Sequence, residues 1–132
     1  MGKIINIKTA QLASFNGFDV PVYSKYEIWR GNQSGELRHE NVKKNWNREF
    51  ADDEIWYSAP SQSILQTWLR ENGIDVFVID DILKGQKQDY GDYYYVIKTF
   101  KDRRKVSDAF LSYEDALEEG LQEALNILEY ER

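Results

Sequence analysis

Apolar and polar positions change period several times along the chain, and each change marks an element. Residues 9–16 (TAQLASFN) have the spacing of a short helix, with Thr9 as its cap, Leu12, Ala13 and Phe15 facing inward and Gly17 as the left-handed stop. At under three turns such a helix holds only if it docks on something. Asp19 to Trp29 alternates as a strand, with Val20, Val22, Tyr26 and Ile28 on one side and Tyr23, Lys25 and Glu27 on the other. The composition of Arg30–Gly35 is that of a turn, which pairs 20–29 with roughly 36–40 as a hairpin. Residues 41–57 have no clean period, yet carry Trp46, Phe50, Ile55, Trp56 and Tyr57. They read as an irregular excursion ending in a short strand at 54–57.

The second half is more regular. Ser58-Ala59-Pro60 opens a helix over 59–72, with Ser58 as cap and Pro60 in the first turn, where it costs no hydrogen bond. Ile64, Leu65, Trp68 and Leu69 form its apolar stripe, and Asn72-Gly73 ends it. Ile74 to Ile79 is a strand apolar on both faces, as a central strand is, and 80–92 is a polar loop. Tyr93 to Phe100 is a strand whose faces are Tyr93/Tyr95/Ile97/Thr99 and Tyr94/Val96/Lys98/Phe100, with Lys98 marking the side nearer water. The basic residues 101–105 turn it into a short return strand, Val106 to Phe110. A last helix over 112–129 has Ser112 and Asp115 as a capping box, Leu111 and Ala116 as a hydrophobic staple, and a stripe of Ala116, Leu117, Leu121, Ala124, Leu125 and Leu128. Gly120 beside that stripe lets the helix lie close to a sheet.

These parts predict one α+β domain over residues 1–132. It has two layers: an antiparallel or mixed sheet of about four to five strands, with the two main helices on one face and a short N-terminal helix. A chain of 132 residues buries enough surface to need no staple. With no Cys and one His, cysteine-based zinc, disulfide, iron–sulfur and thiol chemistry are excluded. No run of apolar residues is long enough for a signal peptide or a membrane span, so the expected setting is soluble and cytoplasmic, away from membranes.

Charge narrows the partners. Residues 113–132 hold Glu114, Asp115, Glu118, Glu119, Glu123, Glu129 and Glu131 against Arg132, and so account for the whole net charge of −6. An acidic segment of this kind repels a phosphate backbone and argues against a general nucleic-acid binder. The local exception is Lys98, Lys101, Arg103, Arg104 and Lys105 against Asp102, whose bland reading is a solvated hairpin turn.

Motifs for catalysis are missing. His39 is the single histidine and lies in a polar stretch, no serine sits in a Gly-x-Ser-x-Gly elbow, and neither dinucleotide nor P-loop glycine patterns occur. No cofactor is implied. Asp80, Asp81, Asp89 and Asp92 flank the loop between two strands and would converge at one rim if those strands are neighbours, which keeps open a divalent-metal-dependent enzyme.

Aromatic residues are the stronger signal, at 14% of the chain. If helices cover one sheet face only, Tyr93, Tyr95 and Phe77, with Trp46 and Trp56 from the excursion, form an interaction surface for another protein or a second copy of the chain. The competing expectation is that the chain's own first half covers that face. A rival function uses Tyr93 and Tyr95 to stack single-stranded bases, with Lys98, Lys101, Arg103, Arg104 and Lys105 on the phosphates. Gln62, Gln66 and Arg70, off the helix stripe, are further candidates for polar contacts.

The stretches Ser58–Glu71 with Ile74–Val76, Phe110–Leu125 and, more loosely, Gly17–Pro21 resemble a group of small uncharacterised proteins of Bacteroidetes bacteria and their prophages. The resemblance implies a bacterial or phage-related cytoplasmic setting and brings no activity or site residue with it.

Overall fold

The computed structural model describes residues 2–80, 92–101 and 103–131. The fold is α+β, with one short N-terminal helix, two main helices and antiparallel strands. The expected polar loop over 80–92, including Asp81 and Asp89, lies almost wholly outside the described residues. The strands form two sheets instead of one, and the chain divides into two compact units, Met1–Leu65 and Gln66–Arg132.

In the first unit, α1 (Ile7–Phe15) begins one turn's edge earlier than the sequence suggests, because Asn6 is the cap: its Oδ1 accepts from the Thr9 amide at 2.9 Å. Thr9, Ala10 and Ala13 are the buried positions, and Phe15, expected inside, is 72% exposed. Gly17 has the predicted positive φ, 86°. The sheet has the order β2-β1-β4-β3, with β1 (Val22–Trp29), β2 (Asn32–Lys44), β3 (Arg48–Glu49) and β4 (Ile55–Ser58). The hairpin turn is only Arg30-Gly31, since Trp29 already pairs with Asn32. β2 therefore extends far into the segment that has no sequence period. Its register against β1 jumps from Ser24↔His39 to Val22↔Lys44, so that Glu40 to Lys43 bulge. Gly35 has φ 76°, where a side chain is strained, and a Cβ there would also press on Ile7 and Ile28.

In the second unit, β5 (Ile74–Asp80), β6 (Tyr93–Thr99) and β7 (Arg104–Val106) form a sheet in that order. The return strand lies earlier and is shorter than the expected 106–110. Directly opposed residues share a face. One face thus carries Val76, Val78, Ile97, Tyr95 and Lys105, and the other Asp75, Phe77, Ile79, Tyr94, Val96, Lys98, Arg104 and Val106. Helix α3 (Tyr113–Glu131) covers the first face, packing on β5 and β6. Its predicted stripe is buried and its cap forms, with the Asp115 amide donating to Ser112 Oγ at 3.1 Å. The staple does not form, since Leu111 is 75% exposed.

Helix α2 (Gln62–Glu71) starts later than expected. Ser61 Oγ accepts from the Ile64 amide, while Ser58 belongs to β4 and accepts from the Trp46 amide. Leu65, Trp68 and Leu69 are buried and Ile64 is exposed. The second half of α2 reaches β5: Gln66 Nε2 donates to the Val76 carbonyl at 2.6 Å and Arg70 Nε meets Asp75 Oδ1 at 3.2 Å. That carbonyl points out of the free edge of β5, so Gln66 blunts an edge strand.

Gly120 sits where α3 touches the sheet. A Cβ there would lie 3.0 Å from Tyr95 Cβ and Cγ and from Val76 Cγ1. Overpacking costs about 1–3 kcal/mol, more than the roughly 1 kcal/mol of helix propensity that alanine adds. Gly120→Ala is therefore expected to lower the melting temperature; an unchanged or higher value would show that α3 shifts freely on the sheet.

Candidate functional site

The first unit buries a charge. Lys25 is 4% exposed, although alternation puts it on the polar side of β1. Its neighbours across the ladder are Arg38 of β2 and Ser58 of β4, and Glu27 faces Glu36 and Trp56 in the same way. Lys25 Nζ lies 3.2 Å from Glu27 Oε2, 3.4 Å from Glu40 Oε1, 3.3 Å from the Trp56 ring centre and 4.6 Å from that of Trp46. Two carboxylates and two indole faces thus replace the water that a buried ammonium loses. Glu27 also pairs with Arg38 Nε at 3.3 Å.

This arrangement corrects the reading of Trp46 and Trp56 as contact residues. Trp46 is buried, with Nε1 donating to the Val22 carbonyl at 2.7 Å. Trp56 is half-buried and committed to Lys25, to the edge of Phe50 and, through Nε1, to Glu54. The excursion is pinned to its sheet by Trp46 and by Asn47, whose amide group bridges the Phe18 carbonyl and the Ser58 amide. Beside this cluster lies a hollow of about 440 Å³ lined by Glu27, Trp29, Arg30, Arg38, Asp52 and Glu54. Its lining mixes both signs of charge and selects no ligand class.

His39 meets a serine: its Nδ1 lies 2.6 Å from Ser24 Oγ, its partner across the ladder. The two side chains thus share a cross-strand hydrogen bond on a buried serine. Among the described residues no group of three or more metal-ligating side chains is found. Of the four aspartates predicted at one rim, Asp80 and Asp92 are described, and each has an interaction within the chain. No helix among the described residues is long and apolar enough to cross a membrane.

The second unit reverses the expectation for the tyrosines. Tyr95 is 8% exposed and lies under α3 against Gly120, because its register partner Val78 puts it on the covered face. Burial pushes its hydroxyl above the usual tyrosine range. Tyr93 is half-buried and meets the Tyr113 ring edge-on, with centres 6.4 Å apart. Phe77, also half-buried, points to the opposite face and so cannot join them in one patch. Gln62 is buried and Gln66 is engaged with β5, which gives these two folding roles, whereas Arg70 is exposed and meets Asp75 at the surface.

The basic stretch, by contrast, is on the surface. Lys98, Lys101, Arg103 and Arg104 are exposed, and among the described residues no acidic side chain pairs with them. Lys105 differs, since Glu123 of α3 holds its Nζ at 2.6 Å and that hydrogen bond raises its pKa. Phe100, beside these cations, is 89% exposed. Its Cβ and the near side of its ring lie over Gly73, where it lines a hollow of about 570 Å³ with Arg70, Glu71, Asn72, Leu128 and Glu131. Next to the cations a hollow of about 350 Å³ is lined by Ile97, Thr99, Arg103, Arg104, Lys105 and Ile127, with Glu131 at its rim. Of these features Phe100 was legible in the alternation that sets it on the Lys98 side; the hollow needs α3, and no sequence signal marks Lys25 as buried.

Comparison with known proteins gives no matching family model, no matching curated protein and no matching solved structure.

Two predictions follow from these environments. Lys25→Ala removes a buried cation from two carboxylates and two rings and should cost about 3 kcal/mol. Lys25→Met, which keeps the aliphatic stem, should cost clearly less in the same denaturant titration. The second concerns pH. Tyr95 and Tyr57 are both raised by burial, Tyr57 also by Glu49, so their contribution to stability is complete below the unfolded tyrosine value near 10 and is lost as pH rises above it. Melting temperature should fall above about pH 10, and Tyr95→Phe should flatten that fall.

Proposed function

We propose that this chain is a non-enzymatic binding protein whose contact surface is the β6–β7 hairpin and its flanks. The supporting observation is the company kept by four exposed cations. Lys98, Lys101, Arg103 and Arg104 are without acidic partners among the described residues, in a chain whose net charge is −6, and the exposed Phe100 lies between Lys98 and Lys101 in the chain. Solvated surface cations need no ring beside them. Cations flanking exposed apolar surface are what a partner with acidic and apolar groups requires. The burial of Tyr95 moves this contact surface from the sheet face to the hairpin and removes one of the two stacking residues from the single-strand reading. A bacterial or phage-related cytoplasmic setting belongs to the proposal and rests on the sequence resemblance.

Titration of the labelled chain with poly-L-glutamate at low salt tests it. Amide NMR shifts are expected to concentrate on residues 97–106 and to vanish at about 0.5 M salt or in the Arg103→Ala/Arg104→Ala variant. Shifts elsewhere, or none, would overturn the reading.

A further inference from the structure

Resting on that reading, we infer that the hairpin takes an extended acidic peptide carrying an apolar anchor residue, added as a fourth strand along β7. Three features of the second unit converge on this partner.

The first is an open edge. The Thr99 amide donates to the Arg103 carbonyl at 2.9 Å and the Ser107 amide to the Tyr95 carbonyl at 3.0 Å. Hydrogen-bonded pairs alternate with non-bonded ones in an antiparallel ladder, so Thr99↔Arg103, Ile97↔Lys105 and Tyr95↔Ser107 are the bonded pairs. The backbone groups of Arg104 and Val106 therefore point away from β6, and among the described residues β7 is the outer strand. The opposite edge, on β5, has the Val76 carbonyl occupied by Gln66.

The second is the charge on that edge. Arg104 shares a face with Lys98, and Lys105 shares the other face with Ile97. An added strand sets its side chains alternately beside these two groups. Glutamate or aspartate beside Arg104 and Lys98 meets cations with no other acidic partner among the described residues.

The third is the hollow. It lies beside Ile97 of β6 and Ile127 of α3, and its lining is completed by Thr99, Arg103, Arg104, Lys105 and the single acidic side chain Glu131. Its volume of about 350 Å³ accommodates one large apolar side chain at the alternate positions of the same added strand. The aliphatic floor favours a peptide over a nucleic-acid strand, whose bases are held by aromatic stacking.

Fluorescence anisotropy with the full chain tests the inference. The probes are a labelled peptide of alternating Glu and Leu, its Glu/Ser counterpart of equal charge, poly-L-glutamate and oligothymidylate. Val106→Pro removes an outward amide without removing a β6–β7 hydrogen bond, so its melting curve is expected to match that of the parent. It should bind the Glu/Leu peptide about tenfold or more weakly, and the Glu/Ser peptide should be weaker than Glu/Leu by a similar factor. If Val106→Pro melts early, an Arg104 N-methyl backbone variant made by ligation replaces it. Equal binding of Glu/Leu and Glu/Ser, or no loss with the edge variant, overturns strand addition and leaves the anion-binding hairpin standing. Binding of oligothymidylate alone overturns the peptide assignment. Failure of every acidic probe, poly-L-glutamate included, overturns the broader reading as well.

Discussion

The approach of α3 to β5 and β6 at Gly120 governs the second unit. With no side chain at that position, the helix backbone lies close enough to pack on Tyr95 and Val76, and the tyrosine ring becomes core. One sheet face is thereby sealed by the helix, and the hairpin at the sheet's outer edge is left as the place where cations and apolar groups reach solvent together. If α3 stood further off, Tyr95 would be available at the surface and the hollow between Ile97 and Ile127 would not exist.

The first unit solves a different problem with the same economy of contacts. Its sheet contains a long, strongly bulged strand, and a bulge of this size gives up ladder hydrogen bonds. Trp46, Asn47 and Ser58 supply substitutes through side-chain hydrogen bonds to backbone groups. Lys25 then ties the bulge to the sheet, since Glu40 comes from the bulge and Glu27 from the strand beneath it. A buried ion cluster adds little net energy over an apolar core, but removal of one member leaves charges stranded.

Aromatic residues and cations exchange the roles that composition suggests for them. Tyr95, Trp46 and Trp56 are spent on burial, on a backbone hydrogen bond and on a lysine cage. Phe100, set between Lys98 and Lys101 in the chain, keeps most of its ring exposed. Aromatic content by itself therefore says little about binding; the partners that each ring already has inside the fold decide what it can offer outside.

Local physics was legible wherever one short segment contains all the interacting groups. The Ser112 cap, the α3 stripe, the glycine ends of α1 and α2, the close approach at Gly120 and the alternation of β5 and β6 follow from spacing, because cap and stripe residues sit within a few positions of what they contact. The α+β class follows from the same elements. The division into two sheets, the extension of β2 through an aperiodic segment, the burial of Lys25, the Ser24–His39 pair and the tasks of Gln66 and Arg70 were decided only by tertiary structure. Each depends on strand pairing between distant segments, and pairing register settles which of two faces a side chain occupies. A period of two in the sequence states that alternate residues differ in face, and not which face the rest of the chain will cover.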